Sequence, residues 1–292
     1  MKKQTKNKKP LKYKCAEAYI QVNKIRLHVI LAGPPQGKLL IFLHGFPEFW
    51  YGWRHQIDFF GKRGYRVVVP DQRGYNLSDK PKNISDYNLD KLAKDTIGLL
   101  DHFKRKKATI IGHDWGGAVA WWTANKYPQR IDKLIILNAP HHRVFQQFLK
   151  NRWGQRLRSW YMMFFQLPLL PEMVLPKIIT QVMKRSGLPG VFTSSDLSKY
   201  QKALEVPGAC TGILNWYRAA FRNPPQKLAS YRIKVPTLLI WGTKDAFLMT
   251  EIAQASIDFC DKGRLILMKE ATHWVQHEFP EKVNSNILQF IK

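Results

Sequence analysis

Asp114 sits at the centre of GHDWGG, within KATIIGHDWGGAVAWWTANKYP, and its neighbours decide what chemistry it can do. Ile110 and Ile111 end an apolar run, Gly112 permits close approach of the segment that follows, and Gly116 and Gly117 open a helical pattern. A residue at such a sharp strand-to-helix turn points into a cleft. Serine there would attack carbonyl groups. A carboxylate is ionised at neutral pH without help from a base, and it can attack an sp³ carbon directly to give an alkyl-enzyme ester. That suits carbon bearing an epoxide oxygen or a halide. An aspartate at this place could instead cap the next helix; the flanking glycines and the partners below argue for a nucleophile.

The ester must then be hydrolysed, which takes a base to activate water and an acid to orient the base. His273, in EATHWVQHEFP, follows the last apolar run, and Asp245, in WGTKDAF, follows the run before it. The chain order is therefore nucleophile, acid, histidine. His55, His102 and His277 read as surface or packing residues, and His141 and His142 stay ambiguous. In LHGFPEFWYGW, the loop after the first buried strand can turn backbone N–H groups toward the site. The N–H of Phe46 and that of Trp115 would hold the Asp114 carbonyl oxygen as it turns tetrahedral. The Phe46–Pro47 bond is a candidate for the cis form.

These residues need a scaffold. KLLIFLHG, YRVVVPD, ATIIGH, KLIILNAP, PTLLIWG and GRLILM are short apolar runs ending in polar residues or glycine. They read as strands buried on both faces, in a parallel sheet covered by helices. YIQVNKIRLHVILAG alternates like a hairpin. Chemistry in such sheets collects at the carboxyl ends of strands, which is where His44, Asp71, Asp114, Asn138, Asp245 and His273 fall. Between about His141 and Gln226 the strand rhythm stops, and prolines, aromatics, Met and Arg mark helices joined by turns. A helical segment inserted between two halves of a sheet is the signature of a lid. The expected organisation is a basic disordered tail over residues 1–15, a core over 16–139 and 227–292, and a helical cap over 140–226.

The 292 residues carry 47 Lys and Arg against 21 Asp and Glu, a formal charge of +26, which favours anionic partners. Seven of the first fourteen residues are lysine and a second cluster, KRKK, occupies Lys104–Lys107. The charge thus reads as solvated surface; no nucleic-acid partner is expected, and peripheral contact with an anionic membrane stays open. Cys15, Cys210 and Cys260 are widely spaced and odd in number, which argues against a disulfide framework or a zinc site. No continuous apolar core follows the basic start, so no signal peptide is recognised and a cytoplasmic location is expected. YMMFFQLPLLPEMVLP is too short and too proline-interrupted to span a membrane and reads as pocket lining or a membrane-touching lip.

HGFPE, PDQRGYNLSDKP, GHDWGG, the Asp–His pair and the aromatic lid together resemble the α/β-hydrolase-fold epoxide hydrolases of single-domain type, from about Tyr19 to Ile291. The resemblance implies the α/β-hydrolase fold, a mostly parallel eight-stranded sheet flanked by helices with an inserted helical cap. It implies an enzyme that converts a small apolar epoxide to a vicinal diol with water and without a metal or organic cofactor. Asp114 would be the nucleophile, His273 the general base and Asp245 the charge-relay acid. An epoxide oxygen leaves poorly until it is protonated or hydrogen-bonded, and the family uses two lid tyrosines for this. They match Tyr217 in the N-x-Y-R of GILNWYRAAF and Tyr161 in SWYMMFFQLPLLPE. The Tyr161 match rests on the downstream F-Q-x-P, which leaves Tyr161 or a neighbouring aromatic. Substrate contacts are expected at His44, Pro47, Phe165, Trp216 and Trp274.

GHDWGG alone is shared with haloalkane dehalogenases, which need halide donors. Trp115 fits the first, Phe46 stands where an Asn would serve the second, and Trp153, Trp160 or Trp216 could substitute. A dehalogenase using the same triad, and an inactive scaffold binding an apolar ligand, are the alternatives. Two departures from the family pattern are Asn76, where RGYGxSD has glycine, and Asn138, where some relatives carry the acid.

Overall fold

The computed structural model describes residues 15–292, so the expected basic tail lies, apart from Cys15, outside the described residues. β1 (Ala16–Val22) and β2 (Ile25–Ala32) form an antiparallel hairpin. Its two turn residues, Asn23 and Lys24, both have positive φ, 43° and 65°, the handedness that matches strand twist. β3 (Leu39–Leu43), β4 (Arg66–Pro70), β5 (Ala108–His113), β6 (Ile131–Leu137), β7 (Thr237–Gly242) and β8 (Gly263–Met268) pair in parallel. The eight-stranded order is β1-β2-β4-β3-β5-β6-β7-β8, with β2 antiparallel to both of its neighbours. From β3 the chain passes to β4 on one side and β5 on the other. A crevice therefore opens over the carboxyl ends of β3 and β5.

In chain order the helices are α1 (Arg54–Gly61), α2 (Leu89–His102), α3 (Trp115–Lys126), α4 (His142–Asn151), α5 (Trp153–Arg158), α6 (Tyr161–Phe164), α7 (Leu170–Ser186), α8 (Ser194–Glu205), α9 (Ala209–Arg222), α10 (Glu251–Ile257), α11 (Val275–Glu278) and α12 (Pro280–Ile291). Strand alternation divides the core between the two faces of the sheet. Leu39, Ile41 and Leu43 of β3 pack with Leu99, Val119 and Ala120 of α2 and α3, while Leu40 and Phe42 pack with Ile57, Phe60 and Ile287 of α1 and α12. GRLILM differs from its reading as a strand buried on both faces. As β8 it ends the sheet, and most of its side chains are exposed or half-buried because among the described residues no further strand flanks it, although α10 packs on it in part.

Helices α4 to α9 lie between β6 and β7 in the chain and sit over the crevice. Thr193 and Asp196 close a capping box at the start of α8, and Gly208, at φ 79°, turns the chain into α9.

At the corner between β5 and α3, Asp114 holds φ 50° and ψ −122°, a region that costs a non-glycine residue energy. Surrounding contacts enforce it. A Cβ on Gly116 would lie 2.1 Å from the Leu43 carbonyl oxygen, and one on Gly112 would lie 2.3 Å from the Gly116 oxygen. Helix and strands thus touch backbone to backbone. Gly116→Ala should destabilise the fold by about 3 kcal/mol, the upper range for overpacking, seen as a lower thermal unfolding midpoint; an unchanged midpoint would contradict this packing.

Candidate active site

The Asp114 side chain makes no capping bond to α3, so the helix-cap reading of this aspartate fails. Its Oδ1 instead accepts from the Phe46 N–H at 2.8 Å. This contact crosses from the end of β3 to the end of β5, strands whose residues Leu43 and Gly112 are paired. The N–H of Trp115 opens α3 directly after it. The Phe46–Pro47 peptide is cis.

His273 faces Asp114 with Nε2 3.6 Å from Oδ2, and its Nδ1 lies 2.7 Å from Asp245 Oδ2. Asp245 is buried and fully engaged. Its Oδ1 accepts from the N–H groups of Phe247 and Leu248 at 2.7 and 3.0 Å, and Oδ2 also accepts from Asn138 Nδ2 at 2.7 Å. Asn138, at φ 39°, accepts the Gly242 N–H on its own oxygen. Burial works against charge on both members of the Asp245–His273 pair, and their mutual attraction outweighs it. The carboxyl is lowered from its ordinary value, and the imidazole, with Asp114 adding a second negative charge, is raised to about 9.

Opposite lie two phenols. Tyr161 begins α6 and Tyr217 sits in α9, with ring centroids 6.0 Å apart. Phe46, Trp115 and Phe165 pack edge-on or tilted around Tyr217 at 4.9 to 5.3 Å. Trp115 and Tyr161 both meet the Tyr217 ring edge-on, at 5.0 and 6.0 Å between centroids. Burial, reinforced by the Asp114 charge, pushes both phenols above their ordinary value, so they stay protonated donors. Both line a cavity of about 600 Å³, together with Asp114, His273, Phe46, Pro47, Phe165 and Trp274. The remaining wall is almost entirely apolar, with Leu175, Ile179 and Phe247 prominent.

Two expected substrate contacts lie elsewhere. His44 is fully buried behind the wall, where its Nε2 accepts from Gln72 N–H at 3.0 Å and its Nδ1 meets Gly45 O at 3.1 Å. Trp216 is also buried, donating to Arg73 O at 2.9 Å and wedged between Tyr75 and Trp115. Neighbouring helical residues point about 100° apart, so turning Tyr217 toward the cavity sends Trp216 into the packing beneath. At Asn76, φ is 40° and the side chain donates to Asp71 Oδ2 at 2.7 Å. It adopts the conformation that glycine would supply.

The sequence reading missed a buried cluster around Glu48. This carboxylate takes contacts from His113 Nδ1 (3.1 Å), His277 Nε2 (2.5 Å), Gln276 Nε2 (3.0 Å) and the Tyr200 hydroxyl (3.1 Å). His277, read as surface or packing, is thus a buried polar partner. Burial would raise Glu48, but its histidine neighbours hold it well below its ordinary value. His113 also reaches the main-chain oxygen of His273 at 2.9 Å, which links the cluster to that histidine. The one available signal was an acidic residue inside an otherwise apolar and aromatic loop, FPEFWYGW. Among the described residues no group of three or more potential metal ligands forms, and no helix is long and apolar enough to cross a membrane.

A carboxylate on a strained strand-to-helix corner, facing a histidine paired with a buried acid on this sheet, defines a hydrolase of α/β type. Residues 38–280 match the α/β-hydrolase fold family. The AB hydrolase superfamily protein YfhM of Bacillus subtilis is 45% identical over 278 residues, covering 94% of this chain and 97% of that protein. Human epoxide hydrolase 4 is 40% identical over 283 residues, covering 94% and 77%. Among solved structures, Bacillus megaterium epoxide hydrolase in complex with an inhibitor superposes with a TM-score of 0.84 at 31% identity, covering 94% of this chain and 99% of that one. The chain belongs to the epoxide hydrolases of the α/β-hydrolase fold family.

The electrostatics give a direct test. His273 should titrate near pH 9 by NMR, and Asp114→Asn, which removes one of the charges raising it, should move the midpoint down. Because the folded value lies above the ordinary 6.5, the stability linked to this ring is complete below that pH and is lost as pH rises through about 9. An Asp114→Asn midpoint identical to the parent's would remove Asp114 from the pair.

Proposed function

We propose that the protein hydrolyses a small apolar epoxide to a vicinal diol in two steps. Asp114 forms a bond to the less hindered ring carbon as the carbon–oxygen bond breaks, and the ring oxygen takes a proton from Tyr161 or Tyr217. The phenol is restored at the expense of protonated His273, by way of solvent. Esterification removes the negative charge on Asp114 that helped to hold that proton, which leaves His273 neutral and ready to act as base. Oriented by Asp245, it then takes a proton from water as the water attacks the ester carbonyl, whose oxygen is held by the N–H groups of Phe46 and Trp115. Release of the diol regenerates the Asp114 carboxylate and protonated His273, so protons balance over the cycle. The core, residues 16–139 and 227–292, supplies the triad, and the cap, 140–226, supplies the phenols.

The observation that carries this reading is that Tyr161 and Tyr217 line the same apolar cavity as Asp114 and His273. A halide site would need a second donor beside the Trp115 indole, yet Phe46 stands where an asparagine would supply it, and the indole itself packs edge-on against Trp216 and Tyr217. An inert scaffold would give no return for burying Asp245 against His273, since desolvating such a pair is costly. His273→Gln should keep alkylation and lose hydrolysis, so addition of styrene oxide should raise the intact mass of the variant by one substrate. Asp114→Asn should show no such increase. A broad epoxide panel that never modifies His273→Gln would refute the mechanism.

A second reading concerns the cap's outer face. Trp153, Leu169 and Met173 are 73, 74 and 64% exposed; Trp153 has exposed Lys150, Arg152 and Arg156 as chain neighbours, with Arg156 stacked on its ring, and exposed Lys177, Lys184 and Arg185 follow Met173 along α7. Exposed apolar surface rimmed by cations suits an anionic lipid surface, from which an apolar substrate would reach the cavity. The protein should co-sediment with phosphatidylglycerol vesicles at low salt and release as salt rises, with Trp153→Ser and Met173→Ser weakening the binding. Equal binding to neutral vesicles, or none, would exclude this contact.

A further inference from the structure

Gln155 lies in α5, is fully buried, and is not part of the cavity wall. A buried amide is stable only when its donors and acceptor are used, and this one is spent mainly on the loop that carries the triad acid. Its Nε2 donates to Phe247 O at 2.9 Å, and its Oε1 accepts from Met249 N–H at 3.0 Å. The same Nε2 donates to Ser159 Oγ at 2.9 Å, which fixes the end of α5. One turn further along the helix, Arg158 donates from Nη1 to Asp245 O at 2.6 Å. The cap therefore grips residues 245–249 at three main-chain atoms, and within that loop the N–H groups of Phe247 and Leu248 hold Asp245 Oδ1.

The far side of this grip is the epoxide-oxygen donor. Ser159 O accepts from Met162 N–H at 3.0 Å, which sets the start of α6 where Tyr161 sits. The Phe247 ring lies between the two halves of the chemistry, 6.2 Å from Tyr161 and 5.2 Å from His273. We infer that Gln155, assisted by Arg158, is a positioning residue that ties the acid loop to the cap, so that Tyr161 and the Asp245–His273 pair share one rigid frame. Ester hydrolysis, whose catalytic groups all belong to the core, then depends on a cap side chain that never meets substrate. This rests on the epoxide-hydrolysis reading above.

The test separates formation from decay of the Asp114 ester by rapid quench and intact mass, with styrene oxide as probe. Gln155→Leu should slow ester decay by about tenfold or more, as expected when supporting groups let reacting atoms drift, and should slow formation less, so the steady-state ester fraction rises. A loosened Asp245 supports charge on His273 less well, so the pH midpoint of decay should also move down. Ser159→Ala, which removes only the bond within α5, should decay like the parent. Arg158→Gln alters an exposed side chain at the rim of the cavity and should slow the same step several-fold with its pH midpoint moved down, a shift that altered substrate contact alone would not give, which keeps the inference testable if Gln155→Leu does not fold. A folded Gln155→Leu with the parent's decay rate and midpoint, or, failing its folding, Arg158→Gln with the parent's decay, overturns the inference while leaving normal parental turnover intact. A parent enzyme that forms neither ester nor diol overturns the epoxide reading and this inference with it.

Discussion

Helix α3 approaches β3 and β5 so closely that no side chain fits between them, and this contact dictates where the reactive groups stand. Gly112 and Gly116 are the positions where a Cβ would strike backbone oxygen. The closeness forces Asp114 to φ 50°, which swings its carboxylate off the helix axis and into the crevice. Parallel pairing of β3 with β5 then places the Phe46 N–H within 2.8 Å of that carboxylate. A looser corner would let the aspartate relax into an ordinary cap, and the carboxylate would face its own helix.

A second constraint is charge in apolar surroundings. Asp245, His273 and Glu48 are all nearly sealed from solvent, and each is tolerable only because every one of them is paired. Their pairings are directional. Asp245 is held by two loop N–H groups and an asparagine, which leaves one lone-pair direction for the histidine. The Glu48 cluster performs a similar service from below, through His113 and the main chain of His273. The phenols, by contrast, are kept neutral by the same burial, so donors and anions coexist in one cavity without neutralising each other.

Much of this was legible in the chain. Short apolar runs gave the parallel strands, and the order Asp114, Asp245, His273 gave the groups that the fold gathers at one sheet edge. Tyr161 and Tyr217 were reached through local motifs, and both line the cavity. What could not be read were facts of phase and of long-range contact. His44 and Trp216 stand two and one positions from Phe46 and Tyr217, which line the cavity, and point the other way. Glu48 meets His277 across 229 residues of chain, and Gln155 meets Met249 across 94; no local pattern encodes either pairing. GRLILM looked like any other buried strand because apolar composition does not reveal which strand ends the sheet.

Asn138 carries one more lesson. It leaves β6, whereas Asp245 follows β7, yet their side chains meet at 2.7 Å beside the imidazole. The histidine thus senses a point in space that two different strand ends can reach. At that point Asp245 Oδ2 meets both the amide and the imidazole. The orientation of the ring is therefore tied to the register of β6 on β7, since a slip between those two strands would carry the amide and the carboxylate apart.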